Sequence, residues 1–249
     1  PPPPPPPPPP HTLFLMIRRP PRSTLRRSRR QRQMCIRDRL QELARHHAIT
    51  APIEEIRRVY RRTFARKMAE FLPRPFYLHR DLFSEAQVDL LTALGADPDQ
   101  GNEPSLYETQ SEVGYAAVQP REGVGETLTA LRQRGLHLAI VSNIDDDQFH
   151  PLWERIGLGP YFDAVTTSQE ARSCKPHPGI YRYALGKAGE LAPEEVIFVG
   201  DTLDYDVVGA NALGMTTVLI TDPQSQVEGD EDPDYVIETI PELLQIVSE

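Results

Sequence analysis

The sequence predicts an α/β fold, a parallel-sheet core accompanied by a helical block, and three observations predict it. Apolar runs of strand length at 136–141, 164–167, 196–199 and 216–220 alternate with segments whose apolar residues recur at helical spacing. Residues 40–95, by contrast, carry only the helical period. Polar residues follow two of the apolar runs directly, Ser142-Asn143 and Gly200-Asp201, as they do where a buried strand stops at the edge of a sheet. In an open parallel sheet, ligands bind beyond the carboxyl ends of the strands.

The 249 residues suffice for one substantial domain with a smaller companion. The formal net charge is −9, but residues 18–39 hold ten Arg and one Asp, a local +9, so the remainder carries −18. An acidic body argues against a broad nucleic-acid surface and leaves room for small phosphorylated ligands at a focused site. Cys35 and Cys174 are the two cysteines, with neither metal-type spacing nor a disulfide framework. The apolar stretch 13–17 is too short for a signal segment or a membrane span, so a cytoplasmic protein with no membrane partner is expected.

In chain order, residues 1–10 are all proline, the composition of a stiff polyproline II rod without donors for a sheet. The Arg-rich run that follows has the charge to bind RNA, DNA or an anionic membrane, but it lacks interleaved aromatics and an apolar face. Residues 11–39 also resemble a peptide produced when sequencing-adapter DNA is translated. On that reading, 1–39 is an artefactual or disordered segment standing where the first core strand belongs, and the sheet is expected to lack its central member unless the apolar run LFLMI at 13–17 supplies a substitute strand.

A helical pattern begins at Leu40 and Leu43. Thr50 is a candidate cap for the next helix, which carries Ile53, Ile56, Val59, Phe64 and Met68 and ends before Pro73 and Pro75. Asp81 or Ser84 is expected to start a third helix, stopping near Gly95. His46, His47 and His79 read as surface or ordinary helix positions. After Pro120, Val124, Leu128 and Leu131 line a helix that ends at Gly135 and leads into the run at 136–141. Asp145, Asp146 and Asp147 then stand at a helix start, where Asp is favoured. Phe149, Leu152, Trp153 and Ile156 give that helix its apolar face. A helix from Pro178 to Ala188 precedes the run at 196–199. An acidic loop is expected at 228–234, then a short strand at 235–237 and a closing helix with Leu243, Leu244 and Val247.

Four side chains stand out chemically. Ser142, at a strand's carboxyl end, can donate its hydroxyl to a phosphoryl oxygen, or it only caps the following helix. Lys175 lies before Pro176 and Pro178, so its backbone is restrained. An ammonium held beside carboxylates can position a nucleophile and offset charge on a transferring group. Asp201 and Asp206 flank the edge after 196–199; two carboxylates facing one pocket need a cation or proton between them, and oxygen-only ligands suit magnesium. Cys174 is a neighbour of Lys175 whose thiol the ammonium would acidify.

The stretch VIFVGDTLDYDVVGA at 196–210 resembles the fourth motif of the haloacid-dehalogenase-like (HAD) hydrolases. VSN at 141–143 and CKPHPGIY at 174–181 resemble the second and third, in the same order. The resemblance implies a Rossmann-like parallel-sheet core, 113–249, with an inserted helical cap, 40–112, that closes over the site and selects substrate. It implies a magnesium-dependent phosphatase of small phosphorylated metabolites, with Ser142 and Lys175 catalytic and Asp201 and Asp206 on the metal. Asn143 would shape the pocket and Asp145 would face its entrance. In the family, an Asp after the first strand attacks phosphorus and an Asp two residues later acts as general acid and base. No DxD stretch is found there, so the chain as written is expected to be inactive. Two alternatives stand beside this reading: a 2-haloacid dehalogenase-type hydrolase, which needs no magnesium, and a non-catalytic protein that binds phosphate or a partner.

Overall fold

Strands β1 (Thr12–Leu15), β2 (His137–Ser142), β3 (Ala164–Thr167), β4 (Val196–Gly200), β5 (Thr216–Ile220) and β6 (Tyr235–Ile237) form one sheet in the order β3-β2-β1-β4-β5-β6, with every pairing parallel. The computed structural model describes residues 12–15, 29–99, 105–108, 120–221 and 232–247, with side chains from Arg37 onward.

The expectation of a sheet without its central member is corrected. Thr12 is level with His137 on one side and Val196 on the other, and Leu15 with Ile140 and Val199. The gap between β2 and β4 presents two rows of backbone donors and acceptors that need partners. Thr-Leu-Phe-Leu includes a β-branched and an aromatic residue, types enriched in strands. The apolar run LFLMI thus supplies the substitute strand, although proline-rich and Arg-rich flanks gave it little support by composition. The proline tract and residues 16–28 lie outside the described residues. The end of the basic run is part of helix α1 (Arg29–His46), which starts well before Leu40. Arg, Gln and Met, which fill its first turns, are good helix formers.

Helix α1 packs with α2 (Ile53–Phe71) and α3 (His79–Ala93) around Leu40, Leu43, Ile56, Val59, Leu90 and Leu91. Pro52, not Thr50, is the residue before α2, and no side chain caps that helix. Helix α3 starts at His79, earlier than Asp81 or Ser84, for a reason that lies in the other half of the molecule. A second cluster, Phe71, Tyr77 and Leu82 with Cys174, joins this helical block to the sheet domain. The Cys174 N–H donates to the Pro75 carbonyl at 2.8 Å, so the strand of chain leading into α3 lies against the residue before Lys175.

Around the sheet run α4 (Val124–Gln133), α5 (Asp146–Ile156), α6 (Ser168–Ala171), α7 (Pro178–Lys187), α8 (Val208–Asn211) and α9 (Leu243–Ile246). Alternate residues of each central strand point to opposite faces. Leu138, Ile140, Ile197 and Val199 join Leu128, Leu131 and Phe149 on one side. Ala139, Val141, Val196 and Phe198 join Ile180, Tyr181 and Ala184 on the other. Burial on both faces explains why these strands read as continuous apolar runs. Trp153 stacks on Phe149, centroids 5.5 Å apart, a packing role. Most of the expected acidic loop, through residue 231, lies outside the described residues. Among the described residues no helix is long and apolar enough to cross a membrane.

Because β1 is paired on both edges, Phe14→Pro removes a ladder donor from the middle of the sheet. The variant should lose the cooperative thermal transition seen by near-UV circular dichroism. An unchanged transition would show that the sheet holds together without this strand.

Candidate active site

The carboxyl edge of the sheet brings together Ser142, the last residue of β2; Lys175, in the loop between α6 and α7; and Asp201 and Asp206, after β4. Lys175 and Asp206 form an ion pair, Nζ to Oδ1 3.1 Å, with side chains 1% and 0% exposed. The ammonium also donates to the Val141 carbonyl at 3.0 Å and lies 5.7 Å from the centre of the Phe198 ring. The other Asp206 oxygen accepts from the Thr202 hydroxyl at 2.6 Å and from the N–H groups of Thr202 at 3.0 Å and Asp201 at 3.2 Å. A buried charge pair is tolerable when its remaining hydrogen-bonding positions are filled; here the loop fills those of Oδ2, and Oδ1 is left to the ammonium.

The turn of Leu203–Val207, wound as a π-helix, folds Asp206 back over the end of β4. That return passes so close to Gly200 that a Cβ there would lie 2.6 Å from Asp206 Cγ and 2.7 Å from Oδ2. Glycine at the strand's end is therefore a condition for the ion pair.

Asn143 braces the lysine from the other side. Its Nδ2 donates to the Lys175 carbonyl at 2.9 Å and its Oδ1 accepts from the Lys175 N–H at 2.7 Å. These bonds fix the Lys175 backbone relative to the end of β2. Ser142 is wholly buried, and the helix after it begins at Asp146 with Asp145 as the flanking residue, so Ser142 does not cap it.

Asp145 is 0% exposed and is held by the helical block. Its Oδ1 accepts from the His79 N–H at 2.8 Å, with His79 Nδ1 at 3.3 Å, and its Oδ2 accepts from the Arg80 N–H at 2.8 Å. The Tyr107 hydroxyl lies 2.9 Å from Oδ2 and 2.7 Å from Asp147 Oδ1. Two of the orphan N–H groups at the start of α3 thus find their acceptor on a residue distant in sequence. Burial by itself would raise the Asp145 carboxyl; the His79 ring and backbone bonds and the Arg80 N–H outweigh it and hold the group well below the usual carboxylate range. His79, read from sequence as a surface or ordinary position, is buried in this junction.

Cys174 also departs from expectation. Burial pushes its thiol up, and the nearby Lys175 ammonium is a minor opposing influence.

A magnesium ion of the kind the resemblance implies takes oxygen ligands from one or two carboxylates plus phosphate and water. Asp206 is committed to Lys175 and its own loop, which leaves the half-buried Asp201 as the other carboxylate after β4. Among the described residues no three His, Cys, Asp or Glu side chains cluster closely enough to hold a metal. The sequence has no acidic residue before Asp38, so no carboxylate follows β1 closely. The residues present do not make up a magnesium site on their own.

Sequence reasoning missed His79, Arg80, Tyr107 and Thr202. Only Thr202 carried a signal, by standing directly after Asp201. The others act through contacts across the junction, and nothing in their neighbours in sequence marks them.

Comparison with known proteins shows the family. The family model for haloacid dehalogenase-like hydrolases matches residues 24–214. The chain is 36% identical over 143 residues to a glyceraldehyde 3-phosphate phosphatase of Methanocaldococcus jannaschii, covering 56% of this chain and 61% of that protein. It is 36% identical over 165 residues to one of Methanopyrus kandleri, covering 64% and 70%. By fold it resembles YfnB from Bacillus subtilis, solved bound to magnesium, at a TM-score of 0.73 and 18% identity over 96% of this chain and 99% of that one. The alignments thus span about two thirds of the two phosphatases' lengths.

Two measurements probe the site. Lys175→Met leaves Asp206 charged and buried, which should cost about 3–5 kcal/mol in denaturant unfolding; adding Asp206→Asn should restore much of it. Asp145 has a depressed folded value, so its contribution is present above the ordinary carboxylate value of 3.8 and is lost as pH falls below that toward the folded value. Asp145→Asn should be less stable at neutral pH and should show a flatter loss of stability in acid. Parallel pH profiles for the two proteins would contradict the assignment.

Proposed function

Because this chain belongs to the haloacid dehalogenase-like hydrolase family, we propose that its architecture serves hydrolysis of small phosphate esters and that the chain as written lacks the attacking group. The observation that carries this reading is the Lys175–Asp206 pair, seated by Asn143 beside Ser142 at one sheet edge. In this proposal the Ser142 hydroxyl donates to a phosphoryl oxygen. The Lys175 ammonium, its position set by Asp206 and the Val141 carbonyl, offsets negative charge as the phosphoryl group transfers. In a chain with a further carboxylate after β1, Asp201 would be the magnesium ligand contributed by this edge, with Asp206 acting on Lys175. The helices between 40 and 112 act as a cap over the 113–249 core, docked through Asp145. The names of the two archaeal relatives support a small phosphorylated metabolite as substrate.

Nothing that binds phosphate here delivers an electron pair to phosphorus, and tighter binding alone does not accelerate the chemistry. The chain should therefore show no magnesium-dependent turnover of small phosphate esters above background. Placing Asp-x-Asp directly after Leu15, as Met16→Asp with Arg18→Asp, should switch turnover on. In that background Lys175→Ala should lower the rate by roughly 10²-fold or more, the scale of a lost electrostatic stabiliser. Asp201→Asn should weaken the response to magnesium. Robust turnover by the unaltered chain, abolished by Asp145→Asn, would reassign the nucleophile to the loop after β2. Silence of the restored chain would favour a binding protein.

A further inference from the structure

Between the helical block and the sheet edge lies a cavity of about 170 Å³, lined among the described residues by Phe64, Met68, Tyr77, His79, Leu82, Phe83 and Asn143. Five of these walls are apolar or aromatic. Phe64 and Phe83 stand with ring centroids 5.1 Å apart, and Tyr77 and His79 likewise lie 5.1 Å apart. Phe71 closes edge-on behind Tyr77, at 5.5 Å. Part of the polar capacity of the lining is committed elsewhere. Asn143 spends its carbonyl oxygen and one amide hydrogen on the Lys175 backbone, and His79 Nδ1 faces Asp145. A polyhydroxylated ligand placed here would bury hydroxyls against the Phe64 and Phe83 rings, Met68 and Leu82, which cannot replace their water. An apolar group loses nothing, and a cavity of about 150 Å³ with such walls is large enough for benzene.

We infer that this cavity takes the leaving-group side of the substrate and that the substrate is a phosphate monoester of a compact apolar or aryl alcohol, about the size of a single ring. The inference rests on the phosphatase reading for its phosphate end, since Asn143 joins the cavity floor to Ser142 and Lys175. It departs from the sugar-like substrates named for the relatives: selection here comes from fit of a ring between α2 and α3 rather than from hydrogen bonds to hydroxyls.

The test is calorimetric titration of the full chain with phenylphosphonate, methylphosphonate, glycerol 3-phosphate and phenol. Phenylphosphonate should bind roughly tenfold or more tightly than methylphosphonate or glycerol 3-phosphate, the gain from removing a ring from water. Met68→Trp, which fills the cavity from a half-buried position, should erase that advantage. Should the variant fold poorly, methyl NMR of the unaltered chain gives the same answer: the Met68 and Leu82 methyl signals should move with phenylphosphonate and stay still with methylphosphonate. Equal affinity for the two phosphonates, or preference for glycerol 3-phosphate, overturns the aryl assignment and leaves the phosphatase reading standing. Phenol binding as tightly as phenylphosphonate supports the apolar cavity and removes the phosphate end from it. Failure of every aryl probe to bind overturns the inference outright.

Discussion

Everything at the sheet edge depends on the buried pairing of Lys175 with Asp206. Neither charge could remain in that interior alone, because an unpaired buried ion costs several kcal/mol even after relaxation, roughly the whole stability of a small domain. The pairing imposes conditions on three separate stretches of chain. Gly200 must lack a side chain so that Asp206 can return over β4. Thr202 must supply two donors to the second carboxylate oxygen. Asn143 must hold the lysine backbone against the end of β2. A lysine whose partner is fixed this way is an oriented charge buried at the sheet edge.

A second buried carboxylate governs how the two halves meet. Asp145 lies on the sheet side of the junction and satisfies the first N–H groups of α3 on the other side. Separating the halves would strip a charged group of its donors and leave the start of a helix unsatisfied at the same moment. The apolar contact of Tyr77 and Leu82 with Cys174 adds an undirected attraction, whereas Asp145 sets the register. The cavity floor is formed in the same place, by His79 and Asn143, so the docking of the helical block and the shape of the ligand space are one geometric fact.

The centre of the sheet separates folding from chemistry. A parallel strand between β2 and β4 needs backbone donors and acceptors and two apolar faces, and Thr12–Leu15 supplies the pairing. Catalysis by this family asks for something more specific, a carboxylate pair just beyond that strand, and the sequence there reads Met16, Ile17, Arg18. The slot asks for a short segment that pairs along both edges, while the reaction asks for particular residues at its end.

Much of this was legible in the sequence alone. Strands β2 to β6, their order along the chain and the closing helix follow from apolar runs and helical spacing; burial on two faces writes a continuous apolar signal into β2, β4 and β5. The motif residues stand out for local reasons too: Ser142, Asn143 and Asp201 come at the end of an apolar run, Lys175 stands before two prolines, and Asp206 lies five residues after Asp201. What the sequence could not carry is pairing across distance. That Thr12–Leu15 fills the central slot depends on edges offered by residues far along the chain. That Asp206 belongs to Lys175, and Asp145 to His79, Arg80 and Tyr107, is decided by which side chains the sheet and the helical block bring within about 3 Å, a hydrogen-bond length. Local periodicity records which face of an element is buried; only the assembled structure determines what that face is buried against.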